Sequence, residues 1–123
     1  MPFFHLKKRF EFLTISKHGK FIPKRSFVLQ FLVRKHPEKS QEASAELRFG
    51  FTASKKVGNA VRRNRCKRRL RALVIENLAL LEQRLQKPTD IVLIARRGTF
   101  DLPFSVLEED FKNVLAQMEK STA

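Results

Sequence analysis

The chain has a single cysteine, Cys66, so it cannot form an internal disulfide, and a reducing cytoplasm suits it. No apolar run approaches the ~18 residues that a membrane span requires. The N-terminal MPFFHLKKRF carries charges where a signal peptide would place its apolar region, so no export is expected. Acids are scarce: 12 Asp and Glu stand against 26 Lys and Arg in 123 residues. They form no Asp-x-Asp or Glu-x-x-His arrangement, which argues against a metal-dependent hydrolase. Glu108, Glu109 and Asp110 cluster at the expected start of a helix, where capping and dipole chemistry explain them. Phosphate-loop, dinucleotide and Cys/His zinc motifs are all missing. His5, His18 and His36 fall in a terminus, a helix end and a loop, places that suit surface residues better than general bases. The sequence therefore predicts no catalytic residue and no metal ligand in the protein.

What the chain does have is cations. A formal charge of +14 and a pI near 10.8 imply a polyanionic partner, and self-repulsion should weaken the free protein at low salt. The cations concentrate in one place. Between Lys55 and Arg71 there are nine Lys and Arg and no acid, and the first acid after them is Glu76. Lys55 to Gly58 reads as a turn, Asn59 as an N-cap, and the residues beyond as a long helix. Cys66, Leu70, Leu73, Val74, Asn77 and Leu81 recur at helical spacing, which assigns one face to a core. Arg62, Arg65 and Arg69 form one basic stripe, and Arg63, Lys67 and Arg71 form another nearer the apolar face. Cations packed at a helix start repel one another and oppose the dipole. A merely solvated face mixes signs. This face does not, so it is read as a phosphate-binding surface.

At 123 residues the chain is predicted to be one domain, with residues 1–6 and 119–123 flexible. Lys7 to Lys17 is expected to be a short helix that ends at Gly19 in a left-handed cap. Phe21 to Pro23 and Ser26 to Lys35 read as strands, the second with two apolar faces. His36 to Ala45 reads as a hairpin loop leading back to a partner strand, Glu46 to Ser54. On that strand Arg48, Gly50, Thr52 and Ser54 share a small, polar face that leaves room for a ligand. Asp90 to Arg96 is a continuous apolar strand, expected at the centre. Ser105 with Glu108 suggests a capping box for a last helix with Leu107, Phe111, Val114, Leu115 and Met118 inward. The order αβββαβα gives an α+β fold, a four-stranded sheet packed by helices.

The run SKKVGNAVRRNRCKRRLR resembles the signature of the bacterial ribonuclease P protein subunit: a Lys-rich turn, Gly-Asn, then an Arg-Asn-Arg core, here Arg63-Asn64-Arg65. Weaker similarity extends to LKKRFEF…KHG and IVLIARR, and so covers nearly the whole chain. The resemblance implies a left-handed βαβ crossover through the long helix (ribosomal protein S5 domain 2-like), against the usual right-handed rule. It implies a cytoplasmic 1:1 complex with a catalytic RNA subunit that uses Mg²⁺, held by RNA and substrate, to remove the 5′ leader of precursor tRNA. No membrane is involved. Lys55, Lys56, Asn59, Arg62, Asn64, Arg65, Arg68 and Arg69 would contact the RNA subunit. Phe12, Val28, Gln30, Thr52, Arg63 and Lys67 would line a cleft for the single-stranded leader. Where the family carries further aromatics, this chain has Ser16 and Gln30, so hydrogen bonds and charge would take a larger share of leader binding.

Three other readings fit less well. A ribosomal or general RNA-chaperone protein would use the same basic helix without tRNA processing. A stand-alone nuclease lacks acid/base groups. A helix-turn-helix DNA binder would place a helix, not a strand and turn, before the basic helix.

Overall fold

The computed structural model describes residues 4–34 and 47–122. Its elements in order are β1 (Phe4–His5), α1 (Arg9–His18), β2 (Lys20–Pro23), β3 (Phe27–Val33) and β4 (Leu47–Thr52). A 3₁₀ turn (Lys55–Val57) follows, then α2 (Ala60–Glu76), α3 (Leu78–Arg84), β5 (Thr89–Ala95), α4 (Arg97–Asp101) and α5 (Phe104–Thr122).

The five strands lie in the order β1-β4-β5-β3-β2. β5 is central, as its unbroken apolar run demands: Ile91, Val92, Leu93 and Ala95 are all buried, which an edge position could not provide. It pairs parallel with β4 and antiparallel with β3. β3 and β4 are therefore not partners, and the expected hairpin between them does not exist; residues 35–46, which join them, lie outside the described residues. The parallel β4–β5 pair needs a long crossover, and α2 with α3 supplies it. The sheet also has five strands rather than four. Phe4 and His5, expected to be loose, pair with Arg48 and Phe49, because β4 otherwise leaves that edge open.

The main core lies between one face of the sheet and the helices α2, α3 and α5. Phe27, Leu29, Phe49, Ile91 and Leu93 meet Cys66, Leu70, Leu73, Leu81, Phe111 and Val114 there. The expected stripe of α5 is buried throughout, from Leu107 to Met118. That helix starts at Phe104, directly after Pro103, so Ser105 lies inside it and does not cap it. It continues to Thr122, through the segment expected to be flexible. The long helix breaks at Asn77, whose backbone (φ −109°, ψ 10°) separates α2 from α3 while its amide donates to the Leu73 carbonyl at 2.8 Å. Cys66 is fully buried, and burial pushes its thiol pKa up although Arg62 and Arg69 pull it down. It is a core residue, not a reactive thiolate.

Among the described residues, the opposite face of the sheet carries only α1. Leu6, Ile15 and Val92 form a small second core there, with Phe12, Leu32 and Ile94 against it. Phe10 and Leu13 on the same helix point outward and are exposed. A salt-bridge network fixes the helix. Arg48 donates from Nε and Nη2 to the two Asp90 oxygens, each at 2.8 Å, and from Nη1 to Glu11 at 2.9 Å. Arg34 also binds Asp90, which is buried. At the far end Gly19 is extended (φ −81°), not left-handed, because the chain passes straight into β2.

Candidate nucleic-acid interface

The basic helix begins as its sequence requires. Ser54 Oγ accepts from the Lys56 amide and opens the 3₁₀ turn. Gly58 then adopts φ 140°, which a side chain would resist, and so redirects the chain into α2. Asn59 Oδ1 accepts from the Arg62 amide at 3.0 Å, the expected N-cap. The first turn of α2 contains no acid.

The cations on this helix divide by their surroundings. Lys55, Lys56, Asn64, Arg65 and Arg68 are exposed. The Arg62 guanidinium sits 4.0 Å from the centre of the Phe100 ring, and that of Arg65 sits 5.5 Å from it. Arg62 also approaches Asp101 at 3.5 Å, an exposed pair of small energetic weight. Arg69 differs from the rest. Its Nη1 donates to the carbonyls of Thr99 and Phe100 at 2.6 and 3.0 Å, and its Nη2 donates to Leu102 at 2.8 Å. These carbonyls close the short helix α4, so Arg69 satisfies acceptors that would otherwise lack partners. It ties two elements together, which sets it apart from the RNA-contact group in which the sequence placed it. The sequence could not reveal this, because Arg97-Gly98 reads as a simple turn and α4 is invisible to periodicity.

The other group gathers on the α1 side of the sheet. Strand register puts Val28, Ile94 and Thr52 side by side in one row, and Gln30, Val92 and Gly50 in the next. Phe12 reaches down from α1 onto the second row. Its ring lies so close over Gly50 that any Cβ there would collide with it. The open ground expected over Gly50 is therefore covered by Phe12, and the half-buried row Val28–Ile94–Thr52 next to it is the remaining apolar floor. Ile94, in the middle of that row, was missed because β5 reads as uniformly apolar and shows no face. Arg63 and Lys67 are half-buried on α2, which packs on the opposite face of the sheet. They share a flank with Arg71, whose guanidinium lies 5.4 Å from the centre of the Phe51 ring in β4. They therefore lie toward the β4 side of the sheet, while the floor residues sit on the α1 face. The Nε atoms of Arg63 and Arg71 are shielded and have no hydrogen-bond partner among the described residues.

The two described histidines, His5 and His18, do not come together. His5 belongs to β1 at one edge of the sheet and His18 adjoins β2 at the other, while His36 lies outside the described residues. His5 packs edge-on to Phe51 with ring centres 6.3 Å apart. Burial first, and then the charge of Arg71, hold its pKa below the usual 6.5. Among the described residues no three His, Cys, Asp or Glu converge as metal ligands, and no helix is long and apolar enough to cross a membrane.

Comparison with known proteins agrees with these features. Residues 3–119 match the family model described as Ribonuclease P. The chain is 43% identical over 110 residues to a ribonuclease P protein component of Gluconacetobacter diazotrophicus, covering 89% of this chain and 86% of that one. It is 39% identical over 118 residues to the Bacillus velezensis ribonuclease P protein component, covering 96% and 88%. The fold superposes on the RNase P protein of Staphylococcus aureus with a TM-score of 0.73 at 29% identity, covering 94% of both chains. For the Thermotoga maritima RNase P protein the TM-score is 0.71 at 28% identity, covering 92% and 96%.

Proposed function

The chain belongs to the ribonuclease P protein family, and on that premise we propose how it serves the endoribonuclease as its protein component. It binds the RNA subunit through Lys55, Lys56, Arg62, Asn64, Arg65 and Arg68, and the precursor-tRNA leader through the Phe12 side of the sheet. The observation that carries this reading is the exposed, acid-free start of α2. Mutually repelling cations are retained there, and an RNA backbone is the ligand that relieves them. The apolar row Val28–Ile94–Thr52 beside the Phe12 ring offers a floor for unpaired bases.

In this reading the protein positions and the RNA reacts. Mg²⁺ held by the RNA subunit and substrate would supply the activated water for hydrolysis of the phosphodiester at the 5′ end of the mature tRNA, with a 5′-phosphate left on the tRNA and a 3′-hydroxyl on the leader. The protein neutralises backbone charge and holds the leader extended, as one copy per RNA in the cytoplasm. The test is reconstitution with a bacterial ribonuclease P RNA at low Mg²⁺, following precursor-tRNA cleavage. Protein should restore cleavage, and Arg65→Ala with Arg68→Ala should weaken assembly by about 1–3 kcal/mol. Log affinity against log salt should slope by about −4 to −8 if six to nine cations meet phosphates. RNA binding without restored cleavage would favour a general RNA chaperone. A slope shallower than about −2 would remove α2 as the contact.

A further inference from the structure

Beside the start of α2 lies a recess that the reading above does not use in full. A cavity of about 570 Å³ opens between the 3₁₀ turn and α4, lined by Lys55, Lys56, Arg62 and Arg97, with Asp101 as its one acid. A second cavity of about 360 Å³, lined by Arg25 and Arg97 among others, adjoins it and shares Arg97 and Asp101. The two form one cationic groove that runs off α2 onto the β2–β3 turn. Asp101 neutralises little of it, since both members of its 3.5 Å contact with Arg62 are exposed.

We propose that this groove binds the sugar–phosphate backbone of the RNA subunit, next to the segment held by Arg65 and Arg68. The inference rests on the RNA-binding reading of α2 and extends that surface onto a different part of the chain, through Arg25 and Arg97. Three observations support it. The groove walls are held in place before any ligand arrives: Arg69 clamps α4 to α2, Thr99 Oγ1 donates to the Ser26 carbonyl, and Arg96 donates to the Lys24 carbonyl at 2.9 Å. Arg25, Lys55, Lys56 and Arg97 are exposed and crowd like charge together, an arrangement that a polyanion relieves. The groove also offers no free aromatic surface, because the Phe100 ring lies under Arg62. Its chemistry therefore suits backbone contacts, which position an RNA, rather than base stacking, which holds the leader. Nothing in the sequence pattern indicated Arg25 or Arg97, which are 72 residues apart and meet only through the fold.

The test compares three double variants of the full chain: Arg25→Ala with Arg97→Ala, Arg65→Ala with Arg68→Ala, and Lys17→Ala with Lys20→Ala. Each removes two exposed charges, and the last removes them at α1 and β2, away from the groove. Affinity for ribonuclease P RNA is measured across a salt series, and the substrate affinity of the assembled complex at saturating protein. The Arg25/Arg97 variant should bind the RNA subunit about 5- to 50-fold more weakly, with a salt slope shallower by about 2. Its substrate affinity, once assembled, should match the parent's, and the Lys17/Lys20 variant should change neither quantity appreciably. Three results would overturn the proposal: an unchanged Arg25/Arg97 affinity and slope, an equal loss in the Lys17/Lys20 variant, or a loss confined to substrate binding. The Arg65/Arg68 variant separates the two readings. Loss there without loss at Arg25/Arg97 removes the groove alone, whereas no loss in either removes the α2 reading as well.

Discussion

Two sets of arginines on opposite faces of one sheet have opposite surroundings. On the α1 face, Arg34 and Arg48 are almost wholly buried and close on the buried Asp90, with Glu11 as a second partner for Arg48. On the α2 side, Arg65 and Arg68 are exposed and α2 has no acid in its first turn. The first set is internally satisfied and holds α1 on the sheet. The second has no acidic partner among the described residues. Arg69 shows that position along a helix does not decide this: it lies one residue from Arg68, yet three backbone carbonyls take its donors. Whether an arginine builds the fold or binds a partner depends on the acceptors around it.

The comparison can be broken from either side. The largest effect is expected at Asp90→Asn, which leaves two buried guanidiniums facing a neutral amide. It should cost about 3–5 kcal/mol in denaturant unfolding, and a loss under 1 kcal/mol would mean that solvent already screens the network. Arg69→Ala should lower stability by about 1–3 kcal/mol as the α4 carbonyls lose their donor. Arg68→Ala, one residue away and exposed, should stay within about 0.5 kcal/mol. Equal costs for the two would erase the distinction. Phe12→Ala should leave RNA-subunit assembly unchanged and weaken substrate binding by about 1–3 kcal/mol, the contribution of one lost stack. That penalty should vanish on a leaderless tRNA, and an equal penalty on both RNAs would make Phe12 a core residue alone.

The smallest effect concerns pH. His5 has a folded pKa below 6.5, so the unfolded chain takes up its proton first as pH falls. Its contribution is therefore complete above about pH 6.5 and is lost progressively below it. In His5→Asn the decline in stability from pH 7 to pH 5 should be shallower than in the parent. An unchanged decline would assign the acid sensitivity to other groups.

Elements written in local pattern were legible in advance: the cap at Asn59, the inward stripe of α2 and the apolar run of β5. The pairing of strands was not. Alternation along β3 and β4 says which residues share a face but not which strand lies beside them, and β5, arriving some forty residues later, takes the place between them. The same limit explains the site. Phe12, Val28, Gln30 and Thr52 do share one face, but Ile94 joined them only through register, and Arg69 left its group only through an unforeseen helix.

The position of β5 also governs how the chain leaves the ribosome. β3 and β4 emerge first, yet neither has the other as a partner. Each exposes an unpaired edge until residues 89–95 appear and slide in between. By then the whole basic crossover has been synthesised, so most of the positive charge is outside the ribosome while the sheet is still open. The sheet closes only when this last strand arrives, and closure through such distant contacts is slow.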